Sequence, residues 1–226
     1  MIDIKKMNQT PEEYKKRYDF LANRIEILVN SSFDSNKKTR FLGLDVGCGP
    51  GALIDRVSKK TKIHFIGLDP KERNKKFRII PGIAEDLPFK NNSFNLIMMI
   101  SVFEHITPNK RIKALKELHR VLKKNGLLLV QIPNNRFPIE LHSKLPFLSY
   151  LPRWLQVKYH NYFYSWKIDY YSVSKSYLLK LAEKTKFKLL KTEDYVYPKE
   201  TIPKSVKMFY GLVKSLNMGY FFLFKK

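Results

Sequence analysis

Cysteine occurs once in 226 residues, as Cys48, so no disulfide framework can form within one chain. No apolar run suffices for a membrane span: the longest, "LIMMISVF" (Leu96 to Phe103), is far too short to cross a bilayer. The opening "MIDIKKMNQT" lacks the apolar stretch of a secretory signal, which makes a cytoplasmic location the expectation. The chain has no run of five like charges, no internal repeat and no low-complexity tract, which excludes a basic tail and a repeat architecture. Acidic residues are scarce, 20 against 43 basic ones, for a formal net charge of +23. That excess would attract phosphates on nucleic acid, anionic lipid headgroups or a phosphorylated substrate. A lysine-rich surface with no such partner accounts for it equally well.

What is present suits one globular unit, with 44% hydrophobic and 28% charged residues over a length able to bury a full core. "TPEEYKKRYDFLANRIEILV" opens on Thr10 as N-cap, Pro11 at the first helical position and Glu13 completing a capping box. Tyr14, Tyr18, Leu21, Ile25 and Leu28 recur at helical spacing, which predicts an amphipathic helix ahead of the main unit; "SSFDSNKKTR" then reads as a polar linker. Beyond it, short apolar runs alternate with amphipathic stretches. "FLGLDV", "IHFIGLDP", part of "FRIIPGIAEDLPF", "FNLIMMISV" and "LLLVQIP" read as five strands, the fourth apolar throughout as a strand covered on both faces should be. "GALIDRVSKK" reads as a helix. So does "PNKRIKALKELHRVLKKNG", starting near Pro108, with Ile112, Leu115, Leu118 and Leu122 on one side and Gly126 after its end. "SKSYLLKLAEKTKF" adds a helix, and "KLLKTEDYVY" and "GYFFLFKK" add strands. This alternation predicts an α/β, doubly wound, parallel sheet.

The turn "LDVGCGPGAL" sets Gly47, Gly49 and Gly51 between a buried strand and a helix. Glycine there adopts unusual φ angles and lets ligand atoms approach the backbone, and the helix N-terminus offers free N–H groups. The run from Gly47 to Ala52 satisfies the loose dinucleotide fingerprint, a weak sign on its own. No lysine follows it, which excludes a P-loop and triphosphate hydrolysis. Asp69, at the end of the next strand, can accept hydrogen bonds from both ribose hydroxyls of a nicotinamide cofactor or of S-adenosylmethionine. A strand-end aspartate can also merely cap a helix. Asp45 ends a buried strand, where a carboxylate without a partner is costly. It suits the ammonium and sulfonium of S-adenosylmethionine and would repel a pyrophosphate.

"LDVGCGPG", "GLDP", "AEDLPFKNNSFNLIMMISVFEHI" and "ALKELHRVLKKNGLLLVQIPN" together resemble, in order and spacing, the successive motifs of class I S-adenosylmethionine-dependent methyltransferases. The resemblance runs from Phe41 to Asn134. It implies a Rossmann-like seven-stranded sheet, mostly parallel with an antiparallel last strand, the role of "GYFFLFKK". It also implies one domain in four parts: N-terminal helix and linker (1–39), cofactor-binding core (40–134), aromatic acceptor-binding insertion after the fifth strand (135–173) and the rest of the sheet (174–226). Carried over by position, Asp45, Gly47, Cys48 and Gly49 line the methionine part of the cofactor. Asp69 holds the ribose, and Pro70 and Ala84 flank the adenine. Ile100 contacts the cofactor through its backbone. Many relatives have an aspartate where this chain has Ile83, so Glu85 or backbone groups would replace that adenine contact.

Methyl transfer from a sulfonium asks the protein to align the nucleophile, exclude water and, for a hydroxyl acceptor, remove a proton. Glu104 and His105 stand where relatives place residues near the methyl group, as catalytic candidates or as groups that only orient their loop. Glu140 and His142 form a second pair, candidates for the acceptor site. Their spacings, i, i+1 and i, i+2, are not helical ligand spacings, so no metal site is expected. His64, His119 and His160 belong to no constellation. Between Leu145 and Tyr171, ten of 27 residues are aromatic, including Trp154, Tyr162 and Trp166. They would form an apolar lid holding the acceptor, an interfacial face against an anionic membrane, or a self-packed subdomain. The resulting expectation is methylation, at oxygen, of a small-molecule, lipid-linked or glycan-type acceptor, with possible peripheral contact at the inner membrane face. RNA methylation and a non-catalytic, cofactor-binding partner protein are the alternatives.

Overall fold

The computed structural model describes residues 10–32, 41–71, 77–201, 211 and 215–226. Most of the linker expected over 31–40, and the opening nine residues, lie outside that set. Seven strands form one sheet in the order β3-β2-β1-β4-β5-β7-β6. They are β1 (Leu42–Val46), β2 (His64–Leu68), β3 (Ile79–Ile80), β4 (Phe94–Ile100), β5 (Leu122–Pro133), β6 (Lys188–Tyr195) and β7 (Gly219–Lys225). The first five run parallel, and β7 runs antiparallel between β5 and β6. This is the doubly wound, seven-stranded Rossmann-like sheet expected from the sequence.

The central strands β4, β5 and β7 are buried on both faces, and their side chains alternate between two cores. Ile97, Met99, Leu128, Val130, Phe222 and Phe224 face α3 (Arg111–Val121) and α5 (Lys175–Lys184), with Leu115, Leu118, Leu178 and Leu181 packed on them. Leu96, Met98, Leu127, Leu129, Phe221 and Leu223 face α1 (Pro11–Asn30) and α2 (Ala52–Thr61). That period-2 division inside near-continuous apolar runs is what a two-sided burial requires.

Helix α1 has the expected capping box: Glu13 N–H donates to Thr10 Oγ1 at 3.2 Å, and Thr10 N–H donates to a Glu13 carboxylate oxygen at 3.0 Å. It does not stand ahead of the main unit. Leu21, Ala22, Ile25, Leu28 and Val29 are buried in the second core, and α1 is tied to α2 by Arg56–Asp19 (2.7 Å) and Lys60–Glu26 (3.1 Å) and to β6 by Arg24–Glu193. Two readings of α3 need correction. The helix ends at Val121, because Leu122 is fully buried and pairs with Phe94 as the first residue of β5. Ile112 is exposed, and its neighbour Arg111 is buried instead, donating to the carbonyls of Ile106 (3.0 Å) and Tyr171 (3.3 Å). Desolvation lowers the Arg111 pKa, so those two carbonyls matter to its charge. The aromatic insertion contains one helix, α4 (Arg153–Phe163).

Candidate functional site

The parallel strands end at a cavity of about 340 Å³ on their carboxyl side. Such a crevice is where open α/β sheets bind ligands. The glycine turn forms one wall. Gly47 has φ of +71°, and a Cβ there would lie 2.4 Å from Val102, so no other residue fits. Gly49 has φ of +52° and open space where a Cβ would stand, the form of a turn that admits a ligand to its backbone. The N–H groups of Gly47 and Cys48 both donate to Leu68 O, at 2.7 and 3.2 Å, which clasps the turn to the end of β2. Asp69 locks the clasp, accepting from Gly49 N–H (3.1 Å) and Lys71 N–H (2.9 Å). Pro70 and Ile100 also line the cavity.

Asp45 is 2% exposed, and its Oδ2 has no hydrogen-bond partner. Burial, helped by the negative Asp69, pushes its pKa up to about 8. Such an orphaned acid at the bottom of a cleft calls for a cationic partner. The ammonium of a methionine moiety supplies one, so these residues fit S-adenosylmethionine.

At the other end of the cavity, a 3₁₀ turn (Phe103–His105) delivers Glu104 and His105. Glu104 is 2% exposed, and neither carboxylate oxygen has a hydrogen-bond partner. Its backbone is fixed by Tyr171 N–H, which donates to Glu104 O at 2.8 Å. His142 Nε2 stands 3.5 Å from Glu104 Oε1, an ion-pair distance too long for a good hydrogen bond. Its Nδ1 lies 2.7 Å from Glu140 Oε1. Glu140 does not line the main cavity. It sits behind His142, accepting from Ser143 N–H (2.6 Å), Ser143 Oγ–H (2.8 Å) and His142 N–H (2.9 Å). Burial opposes the charge on His142, but Glu140 and Glu104 outweigh it and raise its pKa to about 9. Glu140 is held far below the usual carboxylate range: burial raises it, and His142 and the amides prevail.

The sequence reading and the geometry differ in several places. Ala84 is buried and Glu85 pairs with Lys110 at 3.6 Å; neither lines the cavity. Trp154 and Tyr162 are 61% and 83% exposed on α4, away from the cavity wall. Arg153, on the same helix, donates to Tyr170 O (2.7 Å) and Ile168 O (3.1 Å). Of the insertion's large aromatics, Trp166 reaches the lining. His160 is fully buried against Trp166 and Tyr164. Several lining residues were missed. Tyr14, Arg17 and Tyr18 come from α1, and Ser101, Gln131 and Tyr195 form a chain in which Ser101 Oγ–H donates to Gln131 Oε1 (2.7 Å) and Gln131 Nε2–H donates to Tyr195. Tyr14 and Tyr18 carried a signal as aromatics repeating at i, i+4 on a stripe otherwise made of aliphatics. Gln131, a lone amide inside an apolar strand, carried one too.

Comparison with known proteins decides what kind of cleft this is. Residues 44–130, which hold the glycine turn, Asp69, β4 and β5, match the family model described as a methyltransferase domain. A SAM-dependent methyltransferase from Thermotoga maritima, described as a possible histamine N-methyltransferase, superposes with a TM-score of 0.59 at 21% identity. That likeness covers 94% of this chain and 91% of the other, and it shows the shared fold. Residues 44–130 thus resemble a methyltransferase domain, and the chain shares the fold of S-adenosylmethionine-dependent methyltransferases. Among sequence relatives, an uncharacterized protein of Methanocaldococcus jannaschii is 36% identical over 132 residues, covering 55% of this chain and 57% of that one. The mitochondrial arginine-hydroxylase NDUFAF5 of Danio rerio is 29% identical over 137 residues, covering 57% and 42%. The chain thus spans about half the length of these relatives. Among the described residues, no helix is long and apolar enough to cross a membrane.

Proposed function

We propose that this chain is a class I S-adenosylmethionine-dependent methyltransferase, binds S-adenosylmethionine along the glycine turn and transfers its methyl group to an oxygen of a small-molecule, lipid-linked or glycan-type acceptor. The observation that carries the reading is Asp45, buried with one oxygen unpartnered, in one cavity with Asp69 at one end and Glu104, His105 and His142 at the other. When bound, the donor supplies a methyl group on a sulfonium, already activated for displacement. The chain's own work is placement. Asp45 takes the ammonium, Asp69 the ribose hydroxyls, and Arg17 stands in the same wall as a cation for a carboxylate. Tyr14 and Tyr18 from one side and Trp166 from the other narrow the mouth against water.

At the acceptor end, His142 is held positively charged and so is a poor base at neutral pH. Glu104 and His105 remain as the groups able to take a hydroxyl proton, and both buried oxygens of Glu104 lack a hydrogen bond, one of them lying 3.5 Å from His142 Nε2. Removing water from this end strengthens every such interaction.

Two measurements test the proposal. Calorimetry with S-adenosylhomocysteine should show one site, and Asp69→Asn should weaken it by about 10- to 100-fold, the scale of losing charge-assisted hydrogen bonds. No binding, or equal binding by the variant, overturns the cofactor assignment. Incubation with labelled S-adenosylmethionine and cell extract should then label the lipid, glycan or small-metabolite fraction. Label appearing in RNA alone, in a manner that falls steeply with salt, selects the RNA alternative.

A further inference from the structure

Three residues in the acceptor half of the cavity do more than crowd one another. A single donor atom from each of Glu104, His105 and His142 can be chosen so that all lie within 4.8 Å of one another. The two imidazole rings are edge to face, with centroids 5.2 Å apart. We propose that Glu104, His105 and His142 form a binding site for a divalent transition-metal ion of the zinc–manganese class.

Two independent features point to a cation here. The first is Glu104 itself: a carboxylate 2% exposed with no hydrogen bond to either oxygen, faced at 3.5 Å by His142 Nε2, the nitrogen whose proton a metal ion would replace. A group so desolvated is costly unless a positive centre joins it. The second is what stands behind the histidines. His142 Nδ1 is held by Glu140 at 2.7 Å, and His105 Nδ1 faces Asp169 O at 3.2 Å and Asp169 Oδ1 at 3.6 Å. Metal-binding histidines are oriented in this way, one ring nitrogen bonded to a carboxylate or carbonyl and the other left to the ion. Two imidazoles and one carboxylate are a donor set for first-row divalent metals rather than for magnesium or calcium.

The distances are close to what coordination needs. Donor atoms sharing an ion at about 2.1 Å lie roughly 3.0–3.5 Å apart. Glu104 Oε1 and His142 Nε2 are already 3.5 Å apart. His105, its side chain 32% accessible, would have to move inward to bring its donor atom from within 4.8 Å of the others to coordination distance. Three protein donors leave positions open toward the cavity, the arrangement of catalytic rather than structural sites. As regards its role, the inference rests on the methyl-transfer reading: with Glu104 and His105 serving as ligands in place of a base, an acceptor hydroxyl bound at an open position ionises more readily, its proton passing to solvent, and meets the donor from a fixed direction. The sequence spacing concealed the site, because its halves lie on either side of β5 and meet only in the folded chain.

The test uses the full chain, stripped of metal and titrated with Co²⁺, whose visible absorption reports coordination by nitrogen and oxygen. One equivalent should give a ligand-field band that Zn²⁺ displaces. Glu104→Gln and His105→Ala should each weaken binding at least about tenfold, and Glu140→Gln about 10- to 100-fold, the usual effect of losing a supporting carboxylate. His105→Ala removes a partly exposed side chain, and its circular dichroism checks the fold. Asp69→Asn should lose S-adenosylhomocysteine yet keep the cobalt band. Absence of the band, or a band unchanged in both Glu104→Gln and His105→Ala, overturns the metal site; normal S-adenosylhomocysteine binding in the same samples leaves the donor reading standing. A band lost in Asp69→Asn places the ion in the donor half and overturns this assignment.

Discussion

A carboxyl group buried beside another carboxylate keeps its proton until a cation displaces it. With a pKa near 8, Asp45 is largely protonated at neutral pH in the ligand-free protein, so capture of an ammonium must expel that proton. Donor affinity should therefore climb between about pH 6 and 8, by up to about tenfold per pH unit, and level off above. Calorimetry of S-adenosylhomocysteine in buffers of different ionisation enthalpy checks both the slope and the released proton, and Asp45→Asn should abolish both. The stability effect has the opposite sense. The folded-state pKa lies above the ordinary 3.8, so the folded protein holds a proton the unfolded chain has lost; this group's contribution falls as pH rises from about 4 to 8. Thermal melts of Asp45→Asn without ligand should decline less over that window. Asp45 and Asp69 were legible in the sequence because one contiguous strand–turn–helix–strand unit brings them together. The meeting of Glu104 with His142 was not, since it depends on a loop beyond β5 and on the Tyr171 tie. Trp154 was misplaced because aromatic composition marks an apolar region without saying which side faces the ligand.

Among the elements, α1 changes role most between sequence and structure. Its caps and stripe announced a helix with one buried face, but an amphipathic stripe does not name the surface that covers it. The fold lays α1 against α2 and the sheet, with Tyr14, Arg17 and Tyr18 at the cavity. Ile25, fully buried at that junction, should cost about 2–5 kcal/mol when changed to alanine, read as a lower denaturation midpoint. Arg17→Ala should weaken S-adenosylhomocysteine binding by about tenfold, consistent with losing one charge-assisted contact, as calorimetry would register. The α3 boundary was misread for a related reason: Leu122 fits a helical stripe and a buried strand equally well, and long-range pairing with Phe94 decides between them.

For the molecule as a whole, the donor cavity and the exposed aromatic face of α4 are separate surfaces. Trp154 and Tyr162 stand mostly in solvent, with Lys158 5.5 Å from the Trp154 ring. Changing both aromatics to alanine should leave stability within about 0.5 kcal/mol and S-adenosylhomocysteine affinity unaltered. A drop confined to turnover on the acceptor would assign that face to the acceptor. The doubly wound parallel sheet was expected because apolar strands alternate with amphipathic helices along the chain; the antiparallel strand came from likeness to a family rather than from hydropathy.

That strand also has a bearing on how the protein is made. β7 lies between β5 and β6 but follows both in the chain, so it is the latest of the seven strands to leave the ribosome. Until residues 219–225 emerge, β5 exposes an unpaired edge, both cores lack the side chains of Phe221 to Phe224, and β6 has no neighbour to join. The glycine turn and Asp69 can assemble early. Gln131 and Tyr195, which meet in the cavity wall, cannot come to rest there before the last strand slides in between β5 and β6.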